Sequence, residues 1–147
     1  MTQIAEVTKE LILGMLPCRE LDALVGKYVV EETPEIKWYA VNKEETVIHK
    51  DFIFQSEADE WLEFDKEHGP ERGLKIVRRE LYSKYSEDMF DAWAVEERIV
   101  ELRLQAKYCE SLKRVVVGTG EYVGMFDYIH ATPAQRCKAA LLAVLDL

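Results

Sequence analysis

The stretch LKIVRRELY, residues 74–82, places Lys75, Arg78 and Arg79 within five positions. Arginine forks match phosphate and carboxylate groups bidentately, so a cluster of this kind can hold an anion. KWYAV, residues 37–41, supplies Trp38 and Tyr39, whose rings can stack on a base. Strand alternation sends only one of those two rings outward. Tyr82 offers a further ring, and Arg114 and Arg136 are further cations for a phosphate. The competing expectation is that the cations of this strand pair with the acidic stretch just before it, at modest gain.

Catalytic chemistry finds less support. A nucleophile needs a base within hydrogen-bond reach and a group to orient that base. Asp127 lies near His130 and His49 near Asp51, but no serine or cysteine is forced beside either. VVVGTGEYVG has glycines at 118, 120 and 124, which misses the dinucleotide fingerprint. A second strand is expected after it, so no helix N-terminus would face a phosphate, although Thr119 and the loop amides could line a pocket. His49, His68 and His130 share no ligand spacing with one another or with Cys18, Cys109 and Cys137. Three cysteines without a close pair fit neither a disulfide framework nor a zinc clip. No catalytic residue, metal site or cofactor is therefore assigned, and the expectation is a non-enzymatic protein.

These residues sit in a chain of 147 residues with a net charge of −9. That length suits one domain with a real core. The acidic balance disfavours general nucleic-acid binding, because phosphate backbones repel such a surface. The charge is uneven. Ser56 to Glu71 holds seven acids and one base, and Arg72 to Lys84 holds five bases and one acid. No apolar run approaches the roughly 18 residues of a membrane span. The start, MTQIAEVTKELILGML, lacks the basic opening of a signal peptide, so the expected location is the cytoplasm.

Periodicity places the elements. Residues 3–15 read as an amphipathic helix with Ile4, Val7, Leu11 and Ile12 on one face, and CRELDALVGKYVV resumes a helix after Pro17. IKWYAV and TVIHKDFIF, joined by NKEE, read as a hairpin. Ser56 caps an acidic helix with Ala58, Trp61 and Leu62 inward, and Gly69-Pro70 stops it. Residues 74–81 read as a strand. Ser86 opens a helix with Met89, Trp93, Val95 or Glu96, and Ile99 on its face, Trp93 being expected in the core. Residues 102–112 fit a helix or a strand equally well. KRVVVGTGEYVGMFDYIH reads as two strands with a Gly-rich turn. ATPAQRCKAALLAVLDL reads as a closing helix capped by Thr132 and Pro133, with Cys137, Ala140, Leu141, Val144 and Leu145 facing a sheet.

Three blocks carry a family resemblance: LPCRELDALVGKYVV, YSEDMFDAWAVEERI and ATPAQRCKAALLAVLDL. In order and spacing they resemble the signature stretches of the phage ABA sandwich domain, a family of small phage-encoded proteins. The resemblance implies an α/β (α+β) fold: an α-β-α layered sandwich with a central, mainly antiparallel sheet and helices on both faces. It implies a phage or prophage source and names no reaction. Residues 1–147 are then one domain, with residues 35–84 an elaboration that the family does not typically carry.

The functional expectation follows from these readings. The leading one is a homo-oligomeric binding protein acting in the bacterial host. It would sequester a small anionic, nucleotide-like immune signal of the cyclic-nucleotide or cyclic ADP-ribose type and so counter host defence. Lys75, Arg78 and Arg79, with Arg114 or Arg136, would hold phosphates, and Trp38, Tyr39 or Tyr82 would stack. The alternative is an accessory protein that blocks a host protein through its acidic surface, including Glu57, Glu60 and Glu63.

Overall fold

A computed structural model of the chain describes residues 6–49, 51–69, 71–118 and 124–147. Ile4, Pro70, Thr119 and Gly120, named in the sequence reading, lie outside the described residues. The chain forms two compact units: Met1–Thr33 with Tyr82–Leu147, and Pro34–Leu81. It is mixed α and β with antiparallel strand pairing. Among the described residues no helix is long and apolar enough to cross a membrane.

The first unit contains α1 (Lys9–Gly14), α2 (Arg19–Val25) running into a π-helical turn (Gly26–Val30), α4 (Met89–Glu101), α5 (Gln105–Val117), α6 (Met125–Ile129) and α7 (Pro133–Leu145). Helix α7 is its centre. The Thr132 hydroxyl accepts from the Gln135 N–H at 3.2 Å, and the Gln135 side chain accepts from the Thr132 N–H at 2.8 Å. This reciprocal cap, with Pro133 in the first turn, starts the helix where the sequence predicts.

The surroundings of α7 differ from the expected sheet. It packs against α1, α2, α4 and α5. Ala139, Ala140, Leu141, Leu142 and Ala143 are all buried, which is burial around most of the helix and not along one stripe. The alanines make this possible, because small side chains let neighbouring helices approach closely on several sides.

Three other expectations need correction in this unit, and one open reading is resolved. KRVVV does not form a strand: Tyr108, Leu112, Val115 and Val116 continue one helical face of α5 into the core. Burial at that spacing outweighs the strand preference of three valines. The ambiguous 102–112 segment resolves as the end of α4, a turn with Arg103 at φ 57°, and the start of α5. Downstream, Met125–Ile129 is a short helix. Finally, Asp88 caps α4, accepting from the Phe90 N–H at 2.8 Å, while Ser86 is buried two residues earlier.

The π turn opens on Gly26 because a side chain has no room there. A Cβ there would lie 2.2 Å from Tyr82 Cδ1, so the Tyr82 ring packs flat on the backbone. Tyr82 thereby joins the margin of the core.

The second unit holds β1 (Glu35–Val41), α3 (Gln55–His68) and β2 (Lys75–Leu81). The regular partner of β1 is β2, antiparallel, with Trp38 opposite Arg78 and Lys37 opposite Arg79. The expected hairpin partner reaches β1 only through two isolated bridges, Val41 with Val47 and Trp38 with Phe52. Helix α3 packs on both strands. That layer supplies the apolar cover without which a two-stranded ribbon is marginal. Trp61, expected in the core, is half-buried in a ring cluster, 4.6 Å from His49 and 6.0 Å from Phe52.

Candidate functional site

The three signature blocks meet inside the first unit, and their polar residues are spent on holding it together. Asp22, from the first block, is 5% exposed and accepts from the Ser86 N–H of the second block at 2.7 Å. The Ser86 hydroxyl in turn accepts from the Cys18 N–H at 3.2 Å. Burial pushes the Asp22 carboxyl above its ordinary pKa, and the Ser86 hydrogen bonds oppose that shift. Glu96, also from the second block, pairs with Arg136 of the third and accepts from the Tyr108 hydroxyl at 2.6 Å. Burial and the Glu96 carboxylate both raise the Tyr108 pKa. Cys137 is buried beside them, and that burial raises its thiol pKa.

Arg136 is therefore placed differently from a phosphate-gripping cation. Its Nε donates to the Ala131 carbonyl at 3.0 Å, and Nη2 donates to the carbonyls of Tyr128 and Ile129 at 3.3 and 3.1 Å. With Nη1 on Glu96, the guanidinium ties the end of α6 to α4 and α7. Arg114 donates to the Leu147 carbonyl at 3.3 Å and lies 3.9 Å from Glu110. It borders a shallow hollow of about 230 Å³ with Lys107 and Asp146.

The remaining predicted ligand residues are divided by the ladder. Side chains opposite each other share a face, and neighbours along a strand alternate. Trp38 and Arg78 therefore lie on one face of the sheet, and Lys37, Tyr39, Arg79 and Lys75 on the other. Arg78 is bound to Glu80 at 3.0 Å, and Lys75 lies 3.6 Å from Glu45. Lys37 is held by Asp51 at 2.7 Å, which raises its pKa. Arg79 lies over the Tyr39 ring, 5.1 Å from its centroid, and has no carboxylate partner among the described residues. The sequence set thus reduces to one aromatic–cation pair on one sheet face.

The expected pairing of the basic strand with the acidic helix is confined to one link. Arg72, just before β2, pairs with Asp65 on α3. This pair sits in a hollow of about 440 Å³ lined also by Leu62, Lys66, Gly73 and Leu74. None of the eight predicted ligand residues lines it.

That leaves the outer face of α3. Ala58 is buried and Trp61, Leu62 and Asp65 are partly buried, so the opposite side carries Asp59, Glu60, Glu63 and Glu67. Those four and Glu57 are exposed and have no ion-pair partner among the described residues. Phe64, on the flank of the same face, is 62% exposed and stacks on His68 at 4.3 Å. Glu57 with Glu60, Glu60 with Glu63, Asp59 with Glu63, and Glu63 with Glu67 are like-charged neighbours one turn apart. Each such pair destabilises a helix by about 0.2–0.5 kcal/mol.

Sequence comparison bears on which family this architecture belongs to. The sequence model of the Phage ABA sandwich domain matches this chain from residue 73 to residue 141. Over residues 73–141 the chain is similar to the phage ABA sandwich domain. The match begins at β2 and runs through α4, α5 and α6 into α7, so it places the chain among phage proteins. The acidic helix α3 and strand β1 precede the matched residues. No curated protein and no solved structure matches the chain. Among the described residues, no group of three or more His, Cys, Asp or Glu side chains is placed to hold a metal ion.

Proposed function

We propose that this phage protein acts inside the host cell by binding, and that it blocks a host protein by covering a basic surface with the outer face of α3. The observation that carries this reading is the set of five exposed carboxylates, Glu57, Asp59, Glu60, Glu63 and Glu67, without an ion-pair partner among the described residues, while Arg72, Lys75 and Arg78 pair with Asp65, Glu45 and Glu80. The helix bears self-repulsion that a basic partner would relieve. Such a field steers association and suppresses wrong partners more than it adds affinity. The exposed Phe64 beside the acids supplies an aromatic anchor of the kind that dominates binding energy at interfaces.

The test is affinity capture from lysate of the phage's host, at low and at high salt, with the natural chain and with the E57Q/E60Q/E63Q variant. A host protein held at low salt by the natural chain and lost by the variant supports the reading. Equal capture by both would sink it.

A second reading rests on the Arg79–Tyr39 pair. A cation without a carboxylate among the described residues, lying on a ring opposite Lys37, is suited to a small anionic ligand such as a nucleotide-type immune signal. Incubation with cyclic nucleotides and cyclic ADP-ribose isomers, followed by filtration, decides it. A molecule retained and then released intact on heating supports sequestration. Full recovery in the filtrate refutes it.

A further inference from the structure

Helix α4 is apolar on two opposite sides. Ala92, Val95 and Ile99 face the core. On the other side Phe90, Trp93, Ala94, Glu97 and Val100 recur at helical spacing and are exposed. Phe90 is 78%, Trp93 50% and Val100 55% accessible, and the Phe90 and Trp93 rings meet edge-on at 5.4 Å. Helices that are apolar all round are ordinarily buried, and a contiguous exposed patch marks an interaction surface.

The spacing of this face makes it complementary to itself. In an antiparallel pairing of two copies centred level with Val95, Phe90 of one lies opposite Val100 of the other. Trp93 lies opposite the aliphatic part of Glu97, and the small Ala94 sits at the crossing, where it permits close approach. The same register sets Glu87, just before α4, opposite Arg103, just after it. Both are exposed, and neither has an ion-pair partner among the described residues. Arg103 stands at φ 57° in the turn between α4 and α5.

We infer that this face is an isologous dimer interface, its occupant a second copy of the chain packed antiparallel through α4. A two-fold axis generates both apolar contacts and both charge pairs at once. The three apolar side chains expose roughly half of the about 800 Å² per partner found in standard interfaces, so the dimer is weak and its population depends on concentration. This inference rests on residues of α4 and the proposed function on residues of α3, and their tests use different variants, so the two stand or fall independently.

Sedimentation velocity over low to several hundred micromolar tests it. The natural chain should shift from monomer toward dimer across that range, and W93E should stay monomeric while keeping its helical circular dichroism. E87R alone and R103E alone should each weaken the dimer by at least about threefold, since each sets two like charges face to face. An equimolar mixture of E87R and R103E should recover dimer, because the heterodimer restores both opposite-charge pairs. A natural chain that stays monomeric, or a dimer indifferent to W93E, overturns the interface. Failure of the mixture to recover overturns the antiparallel register.

Discussion

Arg136→Met is the most informative perturbation, because it separates a ligand-gripping role from a structural one. The substitution keeps much of the side-chain volume and removes the charge and every donor. The carbonyls of Tyr128, Ile129 and Ala131 lose their guanidinium partner, and Glu96 keeps only the Tyr108 hydroxyl of its two donors from this network. Removing one partner of a buried ion pair costs about 3–5 kcal/mol. The Arg136 side chain is 10% exposed but that of Glu96 is 29% exposed, so water takes over part of the lost interaction. The expected loss is about 2–4 kcal/mol. At about 2–4 °C of melting temperature per kcal/mol for a chain near this size, the fall is on the order of 5–15 °C. Thermal and urea unfolding measure it. The E96Q/R136M double variant should lose less than the sum of the two single losses, because the partners share one interaction. A melting temperature within about 2 °C of the natural chain would refute the reasoning. Arg136 would then be free to serve the ligand role that its sequence position suggested.

Three further outcomes are expected. A folded-state pKa raised above the unfolded value means that Asp22 contributes its full stability below the unfolded pKa and loses it as pH rises through the folded pKa. D22N keeps an acceptor for Ser86 and removes the titration, so urea midpoints should favour D22N more at pH 7 than near pH 4; a gap constant with pH would exclude burial as the cause. G26A should destabilise by about 1–3 kcal/mol through the clash with Tyr82, and Y82A in the same chain should recover part of it; an unchanged melting temperature would show that the π turn yields freely. E63Q removes three like-charge contacts on α3 and should raise stability by about 0.5–1.5 kcal/mol, an increment that shrinks in high salt. Salt-independent gain would point to helix propensity instead.

Local chemistry was legible wherever it was self-contained. The cap at Thr132, Gln135 and Pro133 reads from adjacent letters, because every atom it needs lies within one turn. The acidic helix between residues 55 and 68 and the strand at 75–81 were legible for the same reason, since period and flanking turns define them. Three blocks resembled the family; the match over residues 73–141 contains the second, includes the start of the third and leaves out the first. Their packing together explains the signature: Asp22, Ser86, Glu96 and Arg136 satisfy one another inside the first unit.

Tertiary structure decided what periodicity left degenerate. The valines at 115–117 favour a strand in isolation, and only the neighbouring α7 makes their helical face the better buried one. Both sides of α4 carry apolar residues, and the spacing that put Trp93 on the inner face chose the wrong side for it. The packing of α4 on α7 turned Val95 in and left Trp93 half exposed. The strand register was equally beyond the sequence. One position separates Arg78 from Arg79, and the pleat sends them to opposite faces, so a cluster in the chain is not a cluster in space. Sequence by itself determined the closing helix with its Thr132 cap, the acidic helix and the charge switch that follows it, because those depend on neighbours within a turn; the expected caps at Ser56 and Ser86 and, among the described residues, the strands at 113–130 did not form. Only the tertiary structure decided which charges meet, which rings are buried and which carboxylates remain unpartnered, because those depend on what long-range packing brings alongside.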